Sequence, residues 1–494
     1  MEANDVHKIL LGGDFVAPKS RVTRPIINPA NLDKLGLVAD CGEDDVHAAV
    51  VAAKKAQHAW WKTPGIEKAG MLRQVAARIK GMQEEVALLL TKETGKPLCE
   101  SKDCVDWVVS AFDYYAEVGR RAQGTSFPPS APHQVNFTVK EPYGVVAAIT
   151  PFNFPLLLLA WKVAPALAAG NAVVVKPPHQ NPLSTLKLAE AFDVLPPGVV
   201  NVVTGDGPTT GEALIQHRDV DCIAFTGSTA VGRHIASVAG SHLKKVNLEL
   251  GGIDPFIVFE DADLEVAVRG VAWARLLNAG QVCTSSKRIY LVKDIAAEFT
   301  KRIVDHVKTL RVGDPVHADT DIGPLISEEA LLKVDAQVKK AVSEGATVLV
   351  GGKCLKREGL SGYFYEPTVL TNVRHGSSPT TDEIFGPVIS IVVAEDADDA
   401  IAKANDSSYG LGANIYTNNL QYTMKAMENI KAGSFWVNDP LTDNNAAPFG
   451  GMRFSGVGRE LGEEGLDAFR EPKHVHIDYV MERKSYWFPY KDRN

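Results

Sequence analysis

Apolar positions along the chain change their period near residue 144. Upstream of it, the segments 45–54 and 71–79 repeat apolar residues at helical spacing, so the part up to about residue 120 reads as helical. Pro128, Pro129 and Pro132 then mark a loop, and 134–140 looks like an exposed strand. Beyond 144, short β-rich runs at 144–149, 172–176, 199–203, 222–225 and 246–250 alternate with helical segments near 156–170, 183–193, 208–216 and 230–239. That alternation predicts an α/β fold whose parallel sheet carries helices on both faces. Sheets of this kind bind ligands at the carboxyl ends of their strands. A second series follows, with strands at 255–259, 288–292, 347–350, 388–393, 412–416 and 434–437, and helices including 261–278, 397–405 and 419–430. The chain closes on an expected unpaired strand, 473–480, and an aromatic tail, Tyr486-Trp487-Phe488-Pro489-Tyr490. Together these point to pairing with another subunit rather than a tail folded back on its own surface.

Composition narrows the class. The 494 residues, 45% hydrophobic and 23% charged, suffice for about three domains with full cores. A net charge of −8 with no run of like charge speaks against nucleic-acid or membrane-surface partners. Six scattered cysteines form no disulfide framework and suit a reducing compartment. The acidic start, Met1-Glu2-Ala3-Asn4-Asp5, has no leader pattern, so a cytoplasmic location is expected. Between Gly144 and Val175 the only charge is Lys162, yet Pro151, Pro155, Pro165, Asn153 and Asn171 break the stretch. It reads as strand, loop, helix and strand rather than a membrane span.

Four short segments could carry chemistry. Cys283 follows a helix and a Gly280-Gln281 turn and precedes a strand, a junction that can expose a thiol at a sheet end. The other cysteines read as core or helix residues, and the five-residue offset of Cys99 and Cys104 is a poor metal spacing, so no metal is expected. Glu249 sits in a strand ending in Gly251-Gly252. It is either an edge residue facing water or a buried base whose pKa is raised toward neutrality. In Phe225-Thr226-Gly227-Ser228 a strand ends and a helix begins, a phosphate-binding geometry without the full glycine fingerprint. Asn153, between Pro151 and Pro155, is either a turn residue or an amide donor at a strand end.

In their order these elements resemble the aldehyde dehydrogenase superfamily over nearly the whole chain. The motifs are Pro151-Phe152-Asn153-Phe154-Pro155, Lys176-Pro177, Phe225-Thr226-Gly227-Ser228, Leu248-Glu249-Leu250-Gly251-Gly252, Gly280-Gln281-Val282-Cys283, Glu383-Ile384-Phe385-Gly386-Pro387 and Pro448-Phe449-Gly450-Gly451. The resemblance implies an NAD- or NADP-dependent oxidation of a small-molecule aldehyde to a carboxylic acid. Cys283 would be the nucleophile, Asn153 an oxyanion donor and Glu249 the base that hydrolyses a thioester. The glutamate argues against a CoA-acylating relative, and the presence of all three argues against a non-enzymatic one. Thr150, Phe152, Lys176, His179, Gly227, Ser228, Glu383 and Phe385 would hold the cofactor. The implied fold joins a Rossmann-like cofactor domain (1–119 and 143–251), a catalytic domain (252–454) and a small bridging β element for oligomerisation (120–142 and 455–494), in a homodimer or homotetramer. Phe154, Leu158, Trp161, Leu277, Val282, Thr284 and Phe449 would line the substrate tunnel, with Asp443 near its mouth. Lacking a cation at Trp161 and Leu277, that tunnel is expected to favour aromatic or medium-chain aliphatic aldehydes over a polar semialdehyde. Three departures stand out. His179 replaces a frequent Glu, which tilts the cofactor site toward NADP, Phe152 replaces a frequent Trp, and Arg453 a frequent Lys.

Overall fold

Four strands of the first series, Val145–Ile149, Ala172–Lys176, Val200–Val202 and Cys222–Thr226, are buried at every position. Their near-continuous apolar sequences follow from helices lying over both faces of the sheet. The computed structural model describes residues 6–121, 124–356, 359 and 361–490. The eight-stranded sheet runs in the order Asp14–Val16, Ile9–Leu11, Val200–Val202, Ala172–Lys176, Val145–Ile149, Cys222–Thr226, Lys245–Glu249, Gly456–Val457. Its five inner strands are parallel. Their order reverses between Val145–Ile149 and Cys222–Thr226, so a crevice opens outside the carboxyl ends of those two strands.

The wholly parallel sheet expected from the alternation needs correcting at both edges. Ile9–Leu11 pairs antiparallel to Val200–Val202, and Gly456–Val457 pairs antiparallel to Lys245–Glu249. The N-terminal part likewise holds strands as well as helices, Thr23–Ile27 and Lys34–Ala39 among them. These strands are too short or too solvated to show a period.

A second, seven-stranded sheet contains Asp254–Val258 and Ser286–Val292 at its centre and is parallel except for Thr347–Val350. The helix expected over 261–278 is shorter, Leu264–Leu276. Asp263 caps its start by accepting from the Glu265 and Val266 N–H groups, and Asn278 and Ala279 end it by turning left-handed. The helix expected over 183–193 finishes as a tighter turn, Ala189–Val194. The C-terminal strand, Arg470–Asp478, is not unpaired. It pairs antiparallel with Gln134–Pro142 of the same chain over nine residue pairs. The structural reason given for an intersubunit strand therefore falls away, although its outer edge faces no strand among the described residues.

Among the described residues, no helix is long and apolar enough to cross a membrane. The apolar stretch after 144 folds instead into a strand and the helix Pro155–Ala169. Pro155 starts that helix and Gly170, at φ 99°, stops it.

Candidate active site

Cys283 sits on a loop that the backbone holds under strain. Asn278, Ala279 and Gly280 have φ of 51°, 53° and 74°. Asn tolerates this region, Ala does so at a cost, and at Gly280 a Cβ would lie 2.2 Å from the Gly386 carbonyl oxygen. Buried side chains fix the loop. Arg275 donates from Nη1 to the Gly280 carbonyl and Ser285 Oγ, from Nη2 to the Ile384 carbonyl, and from Nε to the Val388 carbonyl. Lys287 Nζ donates to the Cys283 carbonyl at 2.6 Å and the Val282 carbonyl at 2.9 Å. Asn278 Nδ2 donates to the Asn153 carbonyl at 3.1 Å, which ties this loop to the loop after Val145–Ile149. The Cys283 thiol is partly exposed to a cavity. Burial pushes its pKa up to about 12, the Lys287 ammonium opposes this, and Asp254, Glu383 and Glu249 add to it.

Glu249 ends the neighbouring strand and is 2% exposed, so it is no edge residue facing water. Neither carboxylate oxygen makes a regular hydrogen bond among the described residues, although the Gly451 N–H lies near enough to act on the group. Its pKa is raised well above the carboxylate range, first by burial and then by Glu460. Lys162, Arg459 and the Gly451 backbone pull in the other direction. Behind it lies a buried ion pair. Lys162 Nζ donates to Glu460 Oε1 at 2.6 Å and to Thr226 Oγ1 at 2.6 Å. Gly450, at φ 155°, leaves room for the carboxylate, since a Cβ there would lie 2.6 Å from Glu249 Oε1. Asn153 is buried, and its side-chain amide has no partner among the described residues.

A cavity of about 570 Å³ leads to Cys283. The seven residues named as tunnel lining all reach it. Phe154, Leu158 and Trp161 come from the helix Pro155–Ala169 and its start. Leu277, Val282 and Thr284 flank Cys283. Phe449 closes the far wall against Trp161, with ring centroids 4.9 Å apart. Asp443 also lines it. Sequence reading put Cys99 and Cys104 on a helix but missed that this helix, Leu98–Val118, brings Glu100, Asp103 and Trp107 to the cavity, and also missed Trp273. Burial raises the Glu100 and Asp443 carboxyls to about 7, with Lys96 opposing the shift at Glu100.

The residues assigned to a cofactor gather along the carboxyl ends of the first sheet. Ser228 caps the helix Thr229–Ser241, and its Oγ accepts from the Val231 N–H. Gly232 allows that helix to approach the sheet, because a Cβ would lie 2.2 Å from a Leu250 methyl. Lys176 Nζ is buried and donates to the Pro177 and Gly205 carbonyls. Burial, and Arg24 after it, lower its pKa to about 8. Thr150 Oγ1 is buried without a partner, as a group meant for a ligand would be. Glu383 meets Lys287 Nζ at 3.2 Å and packs on Gly251, and Phe385 meets Phe152 edge to face at 5.8 Å. His179 lies 3.8 Å from Asp40, which accepts from Arg24 Nε at 2.7 Å. Burial, then the Arg24 charge, lower the imidazole's pKa.

The sequence profile of the aldehyde dehydrogenase family matches residues 15–475. The chain belongs to the aldehyde dehydrogenase family. A peroxisomal aminoaldehyde dehydrogenase of Pisum sativum is 39% identical, with 97% of each chain covered. An NADP-dependent succinate-semialdehyde dehydrogenase of Escherichia coli is 38% identical, over 97% of this chain and all of that one. The solved structure of a Staphylococcus aureus betaine aldehyde dehydrogenase in complex with NAD+ superposes with a TM-score of 0.95 at 36% identity, over 97% of each chain. Like these oxidoreductases, this aldehyde dehydrogenase has an α/β fold, and its candidate thiol lies on the loop before the strand Ser286–Val292. Arg275, Lys287 and Glu460 went unnoticed in the sequence because charged residues are presumed solvated, and Lys162 was noted but given no role. One signal was there to be used: Lys162 is the sole charge in a long apolar stretch.

Proposed function

We propose that this aldehyde dehydrogenase oxidises an aldehyde to a carboxylic acid in two stages on Cys283, with Glu249 as the hydrolytic base. The observation that supports it is a thiol on a cavity wall with a buried carboxyl close enough to act on its pKa. Cys283 attacks the carbonyl carbon after losing its proton, and the thiohemiacetal oxygen is held by the Asn153 amide and the Cys283 N–H. Burial disfavours the thiolate, and Lys287 is the cation that favours ionisation. A bound nicotinamide cofactor accepts the hydride that leaves the carbon. Glu249 then takes a proton from water, the hydroxide adds to the thioester, and the acid departs as the thiol re-forms. The buried carboxyl suits that task, since desolvation brings its proton affinity nearer to neutral pH.

For the cofactor, Ser228 and Gly227 would meet the pyrophosphate, Lys176 and Thr150 the adenosine side, and Glu383, Phe385 and Phe152 the nicotinamide side. The orphaned Thr150 hydroxyl and the free helix start fit such a group. Acceptance of NADP rests on the Arg24 guanidinium and Lys176 ammonium and on the lack of a carboxylate at His179, not on a charged imidazole. The apolar walls around Cys283 favour aldehydes with an apolar chain or ring, aromatic or medium-chain aliphatic, over succinate semialdehyde. Subunits would associate through the ribbon formed by Gln134–Pro142 and Arg470–Asp478, giving a homodimer or homotetramer. The direct test is the reduction of NAD and NADP by purified enzyme with benzaldehyde, hexanal and succinate semialdehyde. Faster kcat/KM with the semialdehyde than with the other two overturns the substrate reading, and no reduction with any overturns the whole.

A further inference from the structure

A buried charge stands near the start of the strand Ser286–Val292: the Lys287 side chain is 1% exposed. In the ladder with Asp254–Val258, Asp254 faces Ser286 and Pro255 faces Arg288, so the register slips and leaves Lys287 as the extra residue. Such an irregularity re-aims a side chain, and here Lys287 turns back onto the loop that precedes it. A lysine ammonium has three N–H donors. Nζ donates to the Cys283 carbonyl at 2.6 Å and the Val282 carbonyl at 2.9 Å, and it meets Glu383 Oε1 at 3.2 Å. Gly252 leaves room for this approach, since a Cβ there would lie 3.0 Å from the Cys283 carbonyl oxygen. Its N–H donates to the same Glu383 oxygen at 3.4 Å, which holds the counter-ion from the other side.

The Val282 carbonyl and the Cys283 N–H belong to one planar trans peptide and point in opposite directions. That N–H makes no hydrogen bond among the described residues. The carbonyl accepts twice, from Lys287 and from the Ser285 N–H at 3.2 Å. Hydrogen bonds at a peptide oxygen fix the peptide plane, and so the direction of its N–H. They also polarise the group, which makes the N–H a stronger donor. An ionised donor polarises more than a neutral one.

We propose that Lys287 is a positioning residue for oxyanion stabilisation: through the Val282 carbonyl it aims and polarises the Cys283 N–H, with Glu383 as the counter-ion that tempers its charge. This rests on the thiohemiacetal reading above and assigns what sets one of its two oxyanion donors.

The experiment treats purified enzyme, without added cofactor, with two reagents at one pH. Iodoacetamide reacts by displacement at a saturated carbon: the thiolate forms the C–S bond, iodide leaves with the bonding pair, and no oxyanion arises. p-Nitrophenyl acetate is attacked at its carbonyl: the C–S bond forms, the oxygen takes the negative charge, and nitrophenolate leaves as the carbonyl re-forms. Both rates scale with the thiolate fraction, so the ratio of acylation to alkylation reports oxyanion stabilisation. Mass spectrometry locates both labels on Cys283. The ratio falls by about tenfold in Lys287→Met, and by about 100-fold in Asn153→Ala, which deletes a donor outright. Lys287→Arg keeps the charge and lies nearer to wild type than to Lys287→Met. Glu383→Gln, altered at a part-exposed side chain, raises the ratio by about two- to threefold. A fall in both rates with an unchanged ratio in Lys287→Met overturns the inference, because a merely structural role slows the two reactions alike. If that variant fails to fold, an unchanged ratio in Glu383→Gln overturns it. An unchanged ratio in Asn153→Ala as well removes the oxyanion reading on which it rests, and labels on another cysteine remove the assignment of the nucleophile.

Discussion

Lys162→Met removes the cation behind the proposed base while keeping the length and apolarity of the side chain. In the native site the Lys162 and Glu460 side chains are 0% exposed, and Nζ lies 2.6 Å from both Glu460 Oε1 and Thr226 Oγ1. Breaking a buried pair by deleting one partner costs about 3–5 kcal/mol when the other charge stays. Where Glu460 stays ionised it goes on repelling Glu249, and its own raised pKa sets the lower end of that range. The functional effect falls on Glu249. Lys162 is one of the groups that hold its pKa down against burial and Glu460. Losing a nearby opposite charge weakens the ionised form by about 1.4 kcal/mol or more, so the pKa rises further. As the proposed base Glu249 would act only when ionised, so below its pKa the ionised fraction, and with it the expected hydrolytic rate, falls by about tenfold for that loss. The assay is the decay of preformed acyl-enzyme from about pH 6 to about pH 10, the span of a raised carboxyl and its surroundings. The acidic limb moves to higher pH in Lys162→Met. It moves to lower pH in Glu460→Gln, where a like charge is lost. The double variant lies near wild type in both limb position and thermal midpoint. Coincident limbs in all four proteins would falsify the assignment of Glu249 as a base tuned by this pair.

Cys283→Ala abolishes cofactor reduction with every aldehyde, and retained turnover assigns the nucleophile elsewhere. Glu249→Gln gives a burst of reduced cofactor near one per site and then a slow rate, with the acyl group found on Cys283 by mass spectrometry. An unchanged steady rate removes Glu249 as the base, and loss of the burst makes it the activator of the thiol. His179→Glu lowers kcat/KM for NADP about tenfold relative to NAD, through repulsion of the 2′-phosphate, and a wild type unable to use NADP contradicts the premise. Gly280→Ala lowers the thermal midpoint and acylation rate together, because a Cβ would lie 2.2 Å from a carbonyl oxygen at φ 74°. A fully active, equally stable variant shows that the loop relaxes freely.

The central strands were legible because each is buried on both faces, which leaves runs such as Ala172-Val173-Val174-Val175 with no polar alternation to misread. Their ends were legible too, since Asn153, Gly227 and Gly251 punctuate them. Strands of two or three residues, such as Gly456–Val457, carry no period and are defined only by the neighbour they join. The buried ions were hidden for a different reason. Arg275 sits on a helix where solvent would be presumed, and only the folded structure reveals that its guanidinium binds three carbonyls and a hydroxyl across the Cys283 loop and the loop after Glu383. Asp443 was placed near the mouth from the sequence, whereas Glu100 and Asp103 come from a helix remote in sequence, and nothing local announces that approach.

The strand that ends in Glu249 has a consequence for how the polypeptide is made. Its outer neighbour is Gly456–Val457, about 200 residues further on. Glu460, which helps set the acidity of Glu249, leaves the ribosome later still. At synthesis rates of about 5–20 residues per second, Glu249 spends about 10–40 s on an open sheet edge after it is translated. A chain that ended before Gly456 would leave the strand Lys245–Glu249 without its outer neighbour, as an uncovered β edge. The segment from Gly456 to Glu460 thus completes both the sheet and the surroundings of Glu249.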